Sequence, residues 1–151
     1  MGDTQPRAAS RARREMPFPN CNFHVEIDGV TSGGFSEVDI EPARICVIRY
    51  RDGSDLGERM IPGQPEPGRL ELTRGLTDDR SLFQWWRKSR EGDPHRVALV
   101  VMLLDEQRQP GVRWLFRHAW PVAYALGRLD AEGEEPMTES VSVVFSEMEV
   151  E

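Results

Sequence analysis

The sequence predicts a mainly β chain, an antiparallel sandwich or barrel with one flanking α-helix and a long inter-strand loop. Runs of two-residue apolar alternation recur along the 151 residues, with Gly- and Pro-rich turns between them. Only one stretch, "RSLFQWWRKSR", carries a helical period. Nothing alternates strand with helix as a parallel sheet requires.

The first strand is "FHVEID" (23–28), where Phe23, Val25 and Ile27 alternate with His24, Glu26 and Asp28. "GVTSGG" turns the chain on Gly29, Gly33 and Gly34. "FSEVDIE" (35–41) alternates again, with Val38 and Ile40 opposing the acidic row Glu37, Asp39 and Glu41. "RICVIRYR" (44–51) reads as a third strand. Residues 52–68 hold the breakers Asp52-Gly53, Pro62-Gly63 and Pro67-Gly68, which predict a long loop, a feature often tied to function. "RLELTRG" (69–75) returns as a strand with Leu70 and Leu72 inward.

The helix is expected over 79–91, capped by Asp78 or Asp79 and stopped by Gly92 and Pro94. Leu82, Phe83 and Trp86 form its apolar stripe, with Trp85 at the margin. "RVALVVMLLDE" (96–106) is apolar on both faces, the mark of a central strand. "RWLFRHAWPV" (113–122) pairs back on it. Read as one strand, it sets Trp114, Phe116, His118 and Trp120 on one face and Arg113, Leu115, Arg117 and Ala119 on the other. Trp114 and Phe116 then belong with Trp86 to the core, and Trp120 lies near an edge or interface. Pro121 marks a strand end, edge or bulge. "SVSVVFSEMEV" (140–150) is the last strand.

Two parts are expected: a flexible basic arm over residues 1–17, with Arg7, Arg11, Arg13 and Arg14, and a β domain over 18–151. The net charge of -7 argues against a dedicated binder of phosphate backbones. Among 19 basic residues only Lys88 is lysine, a bias that suits a GC-rich genome and bidentate carboxylate contacts between subunits. Cys21 and Cys46 have no metal-ligand spacing and read as two buried, reduced thiols. No apolar run approaches the roughly 20 residues that span a bilayer, and the N-terminal arginines precede no apolar signal segment.

Chemistry is sparse. There is no nucleophile elbow, phosphate loop or dinucleotide fingerprint. His24, His95 and His118 are scattered, and the pairs Glu26/Asp28, Glu37/Asp39 and Asp105/Glu106 follow strand alternation or sit in turns. The expectation is a non-enzyme without cofactor or metal. A nucleic-acid stacking platform is disfavoured because Arg113 and Arg117 oppose the tryptophans. A small glycan-binding or glycan-acting β-sandwich is the alternative from another class, and it predicts binding that Trp120→Ala abolishes. The long loop, acidic strand and 38% apolar content suit a subunit partly buried by its neighbours.

Six stretches in order carry a family resemblance: "FHVEIDGVTSGGFSEVDIE" (23–41), "VIRYRDG" (47–53), "PGQPEPGRLELTRGLTDD" (62–79), "LFQWW" (82–86), "LLDEQRQPGVRW" (103–114) and "AWPV" (119–122). Together they resemble the tail-tube family of T-even-like contractile phages and of extracellular contractile injection systems, over roughly residues 20–150. The resemblance implies a structural protein whose hexameric rings stack into a hollow tube inside a contractile sheath. Its partners would be further copies of itself, sheath, baseplate or hub and tail-terminator proteins. A protein effector or DNA would pass through the lumen without specific binding. The segment 44–68 resembles the family's long hairpin and loop that reach the adjacent ring, so Arg49, Arg51, Asp52, Asp55 and Glu58 are expected at inter-ring contacts. Glu37, Asp39 and Glu41 are the lumen-facing expectation. A baseplate-proximal adaptor or initiator of the same particle, present in a few copies at one end, is the alternative within the family, and the N-terminal arm, longer than the family's pattern, leaves both open.

Overall fold

The structure, a computed structural model, describes residues 14–54 and 56–151. The elements run β1 (Phe23–Ile27), β2 (Thr31–Ser32), β3 (Phe35–Ile40), β4 (Arg44–Tyr50), β5 (Arg59–Glu66), β6 (Arg69–Gly75), α1 (Ser81–Arg90), β7 (Val97–Leu104), β8 (Pro110–Leu126), β9 (Thr138–Val144) and β10 (Glu147–Val150). Every strand pairing is antiparallel.

The 17-residue β8 unites two sheets. Up to Ala119 it pairs with β7, and over Trp114–Arg117 also with β10. From Trp120 to Leu126 it pairs with β9. One sheet therefore runs β2–β1–β7–β8–β10 and the other β8–β9–β6–β3. The changeover falls at His118, whose φ of 55° is left-handed. Phe116 and Ala119, three residues apart, are both fully buried there. Such a bulge lets one strand turn a corner between sheets. It corrects the single aromatic face expected for 113–122, because the period of two does not survive residue 118.

Two further expectations are corrected. The segment 52–68 is not one loop: Arg59–Glu66 form β5, paired with β4 in a separate two-stranded sheet. Its prolines read as breakers, yet a two-stranded ribbon has two outer edges where a missing N–H costs no ladder bond. The final strand is two. β9 and β10 part at Phe145–Ser146, where the Ser146 amide donates to the Arg117 carbonyl at 2.9 Å, and each serves a different sheet.

The core lies between the sheets and under α1. It is built from Val25, Ile27, Leu99, Val101 and Phe116 on one side and Leu70, Leu72, Val141 and Val143 on the other. The helix enters it through Leu82 and Trp85. Trp85, expected at the margin, is the buried tryptophan, and its Nε1 donates to the His95 carbonyl at 2.8 Å. Trp86 is half-buried and meets Phe83 and Tyr124, with ring centroids at 6.0 and 6.2 Å. Cys21 and Cys46, expected as buried thiols, are both exposed.

Candidate functional site

Registers across the second sheet place its residues in rows. Two rows alternate toward solvent: Glu37–Thr73–Ser140–Ala125 and Asp39–Glu71–Ser142–Ala123. Two point to the core: Val38–Leu72–Val141–Tyr124 and Ile40–Leu70–Val143–Pro121. The outward face is thus a smooth wall of small side chains that is acidic toward β3. Glu41 continues it, its amide donating to the Arg69 carbonyl at 2.8 Å. Trp120 is opposite Val144 at the other end, half-buried, with the Arg96 guanidinium 6.0 Å from its ring centroid. Trp114 packs against the core and Phe116 lies within it.

This four-stranded sheet has two open edges among the described residues. One is the outer side of β3. The other is the second side of β8 over Trp120–Leu126, where β7 has ended. Open edges are aggregation hazards that a monomer must blunt. Here strand directions alternate from β8 through β9 and β6 to β3, so β3 and β8 run oppositely. Joining β3 of one copy to β8 of the next makes another antiparallel pair, and the joint can recur without limit until a ring closes.

The β4–β5 hairpin is the second unusual surface. Ile45, Val47, Ile48, Tyr50, Met60 and Ile61 are all large and exposed, and Leu56 at the tip is fully so. Arg49 pairs with Glu58 at 3.8 Å across the hairpin, and Arg51 and Asp52 are exposed in its turn. Asp55 lies outside the described residues. Cys46 Sγ donates to Glu66 Oε1 at 3.0 Å, a bond that raises the thiol above its ordinary pKa. At the root, an apolar depression of about 420 Å³ is lined by Ala43, Ile45, Pro65, Pro67, Phe145 and Met148 among others. Gly68 is required there, since any Cβ would strike the Glu41 carbonyl.

One polar network was missed from the sequence. Arg74 and Glu139 are cross-strand partners on the core side of β6 and β9, only 5% and 2% exposed, and Arg74 Nε donates to Glu139 Oε1 at 2.7 Å. Arg74 also reaches Thr31 Oγ1, Asp79 Oδ2, the Asp79 carbonyl and Ser81 Oγ at 3.2–3.5 Å. Asp79 Oδ1 in turn accepts the Ser81 amide at 2.9 Å. That bond, before the Arg74 charge, lowers the Asp79 pKa. The network ties the start of α1, strand β2 and both inner strands together.

Tyr124 donates to Glu139 Oε2 at 2.6 Å. Burial, then this bond, pushes its pKa up to about 12. An unfolded tyrosine ionises near about 10, so the contribution to stability is whole below pH 10 and is lost as pH rises through about 12. We expect one late-titrating tyrosine in an ultraviolet titration, absent from Tyr124→Phe. Ionisation of Tyr124 near pH 10 would contradict it.

At the N-terminus, Arg14 pairs with Glu106 and stacks on Phe18 at 4.0 Å, beside the β7–β8 turn. The rest of the basic arm, residues 1–13, lies outside the described residues. No helix among the described residues is long and apolar enough to cross a membrane.

Open sheet edges, a smooth polar wall and a projecting apolar hairpin define an assembly subunit, a chain whose surfaces are completed by neighbours. The comparisons with known proteins agree. Residues 19–149 match the family described as T4-like virus tail tube protein gp19, and the chain belongs to that family. Among solved structures it is similar to a chain of an extracellular contractile injection system, the PVC sheath–tube complex in its extended state. That match has 19% identity over 91% of this chain and 93% of that one, with a TM-score of 0.82. A chain of the anti-feeding prophage cap, a tube-terminating cap, matches at 18% identity over 97% and 99%, with a TM-score of 0.82. Hcp1 from Flavobacterium johnsoniae is more distant, at 17% identity over 85% and 93%, with a TM-score of 0.57. At such identities the likeness is one of fold. The comparison with curated proteins finds no match.

Proposed function

We propose that this chain is the repeating subunit of the inner tube of a contractile phage tail or contractile injection system, a structural protein and not an enzyme. Hexameric rings form when β3 of each copy adds to the open half of β8 in the next, closing a continuous antiparallel barrel around a lumen. The single observation that carries this is the pair of oppositely running open edges on one four-stranded sheet. The outward rows then face the lumen, with Glu37, Asp39 and Glu41 on it. Small side chains and an acidic charge let a protein effector or DNA slide without specific binding. Trp86, Trp114 and Phe116 fix the wall against the helix.

The rings stack through the hairpin, with Arg49, Arg51, Asp52, Asp55 and Glu58 at the inter-ring contact. Sheath, baseplate and tube terminator are the partners, by likeness to the sheath–tube, cap and baseplate structures. The subunit is made in the cytoplasm and completed in the particle, and the basic arm of residues 1–17 joins the barrel domain of 18–151 where Arg14 pairs with Glu106. A second reading, a baseplate-proximal adaptor of the same particle, is favoured by the likeness to a chain of the anti-feeding prophage baseplate structure, which covers 91% of this chain.

Electron microscopy of the purified chain tests the tube. Six-fold rings and hollow rods are expected, and a strictly monomeric protein at high concentration would contradict it. Gold labelling of native particles separates the two readings: label along the whole length is a tube, label at one end an adaptor. Replacing residues 45–65 by a short Gly-Ser linker should leave the melting midpoint within about 3 °C but yield single rings. Rods of normal length from that variant would remove the hairpin from the stacking contact.

A further inference from the structure

Residues 14–22 are built onto the β7–β8 turn. Arg14 pairs with Glu106, donates to the Met16 and Pro17 carbonyls and lies over the Phe18 ring. Phe18 covers Gly111 so closely that any Cβ there would strike the ring. Asn22 Nδ2 donates to the Asp105 carbonyl at 2.8 Å, and the Asn22 carbonyl accepts from the Leu104 amide at 2.7 Å. The arm of residues 1–13 therefore joins the domain at a fixed point, by the start of β8. The end of β10 lies beside that point, where Glu151 and Arg113 exchange both backbone bonds.

β10 pairs with β8 alone among the described strands, and all of it is exposed. Glu151 turns both backbone groups toward β8, and the direction alternates along a strand. The amides and carbonyls of Met148 and Val150 therefore point the other way, to an edge that no described strand fills. Met148 and Val150 continue the inner rows of Phe116 and Trp114, yet are 39% and 64% exposed. Glu147, Glu149 and Glu151 alternate with them on the other face, where Arg117 pairs with Glu149 and Arg113 with Glu151. The arm carries the complementary alternation. In "RAASRAR" (7–13), Arg7, Arg11 and Arg13 share one face, and Ala8, Ser10 and Ala12 share the other.

We propose that residues 1–13 of the same chain supply a further strand on the open edge of β10, with Arg7, Arg11 and Arg13 beside Glu147, Glu149 and Glu151 and the small side chains beside Met148 and Val150. The reach suffices. Thirteen residues extend over about 43 Å. Crossing two strand spacings takes about 10 Å, and following the four residues of β10 takes about 13 Å. The arm ends at Arg14, near the C-terminal end of β10, so the two strands run parallel. That pairing is slightly less stable per residue, and the charge pairs carry the larger share of the contact. Covering β10 closes an edge that the ring joint does not use and that would otherwise recruit stray chains.

The test uses full-length protein with photo-crosslinking benzoylphenylalanine in place of Ala8. Chains of ordinary and heavy-nitrogen isotope composition are mixed, irradiated and digested. The expected link joins position 8 to the peptide holding Met148, always within one isotope. Links between light and heavy chains would show that the arm serves another copy. Links that avoid β10, or none, would show that it lies elsewhere, and each of these results overturns the proposal. Amide exchange gives a second reading without the probe. Arg7→Glu, Arg11→Glu and Arg13→Glu together should speed exchange at Met148 and Val150 about tenfold or more and leave Leu99 in the central strand unchanged. Equal exchange at the edge with and without the three substitutions would mean that no strand covers it. Neither measurement depends on rods, so failure here leaves the tube reading standing.

Discussion

Arg74→Met is expected to lower the unfolding free energy by about 3–5 kcal/mol, the range seen when one member of a buried ion pair is removed. Glu139 is 2% exposed and would keep only the Tyr124 hydroxyl as a partner. The loss extends beyond the pair. Arg74 also holds Thr31, Asp79 and Ser81, so the entry to α1 and strand β2 lose their common anchor. Arg74→Lys keeps the charge but not the planar fork that reaches several partners at once, and should recover only part of the stability. Replacing the central set, Arg74→Met with Glu139→Leu and Tyr124→Phe, leaves no buried charge and no unpaired tyrosine hydroxyl and should regain more than half of the loss. Urea unfolding, at concentrations too low for ring assembly, measures all three. A cost below about 1 kcal/mol for Arg74→Met would mean that Glu139 gains water on losing its partner, and that the network orders the fold without stabilising it.

That network shows what the sequence can and cannot reveal. The alternation of "RLELTRG" sets Arg74 on the side of Leu70 and Leu72, and the same period sets Glu139 on the side of Val141 and Val143. Each was legible as an inward charge, but their partnership depends on β6 and β9, 65 residues apart, lying side by side. The strands from "FHVEID", "FSEVDIE" and "RLELTRG" were legible because each buries one face and so keeps a period of two. β5 was not, because its ribbon buries neither face within one copy and its prolines sit on an outer edge. The change at His118 was hidden for a different reason. A left-handed residue inside an aromatic run leaves no mark in composition, and only the two-sheet topology demands it. The family resemblance foresaw a hairpin and loop at 44–68, where the local pattern read a strand over 44–51 and a loop over 52–68.

Ile40→Pro is expected to convert rings to monomers while leaving the monomer folded. The Glu41 amide points toward β6, where it donates to the Arg69 carbonyl. Amides alternate in direction along a strand, so the Ile40 amide points away, to the open edge. Proline there removes a donor from the joint, sets its ring against the incoming strand, and spares the ladder to β6. One lost bond is worth only about 0.5–1.5 kcal/mol. The steric block adds to it, and a closed ring repeats the same loss at every joint. Association therefore weakens by the product of all the joints, and ring formation at micromolar protein should disappear. Sedimentation velocity reads the species present, and circular dichroism with a melting curve reads the fold. Glu41→Pro is the matched control, since it removes an amide facing β6 and should destabilise the monomer more while taking no donor from the open edge. If Ile40→Pro still sediments as a ring, neighbouring copies do not join through β3, and the acidic outward rows have no closed wall to line.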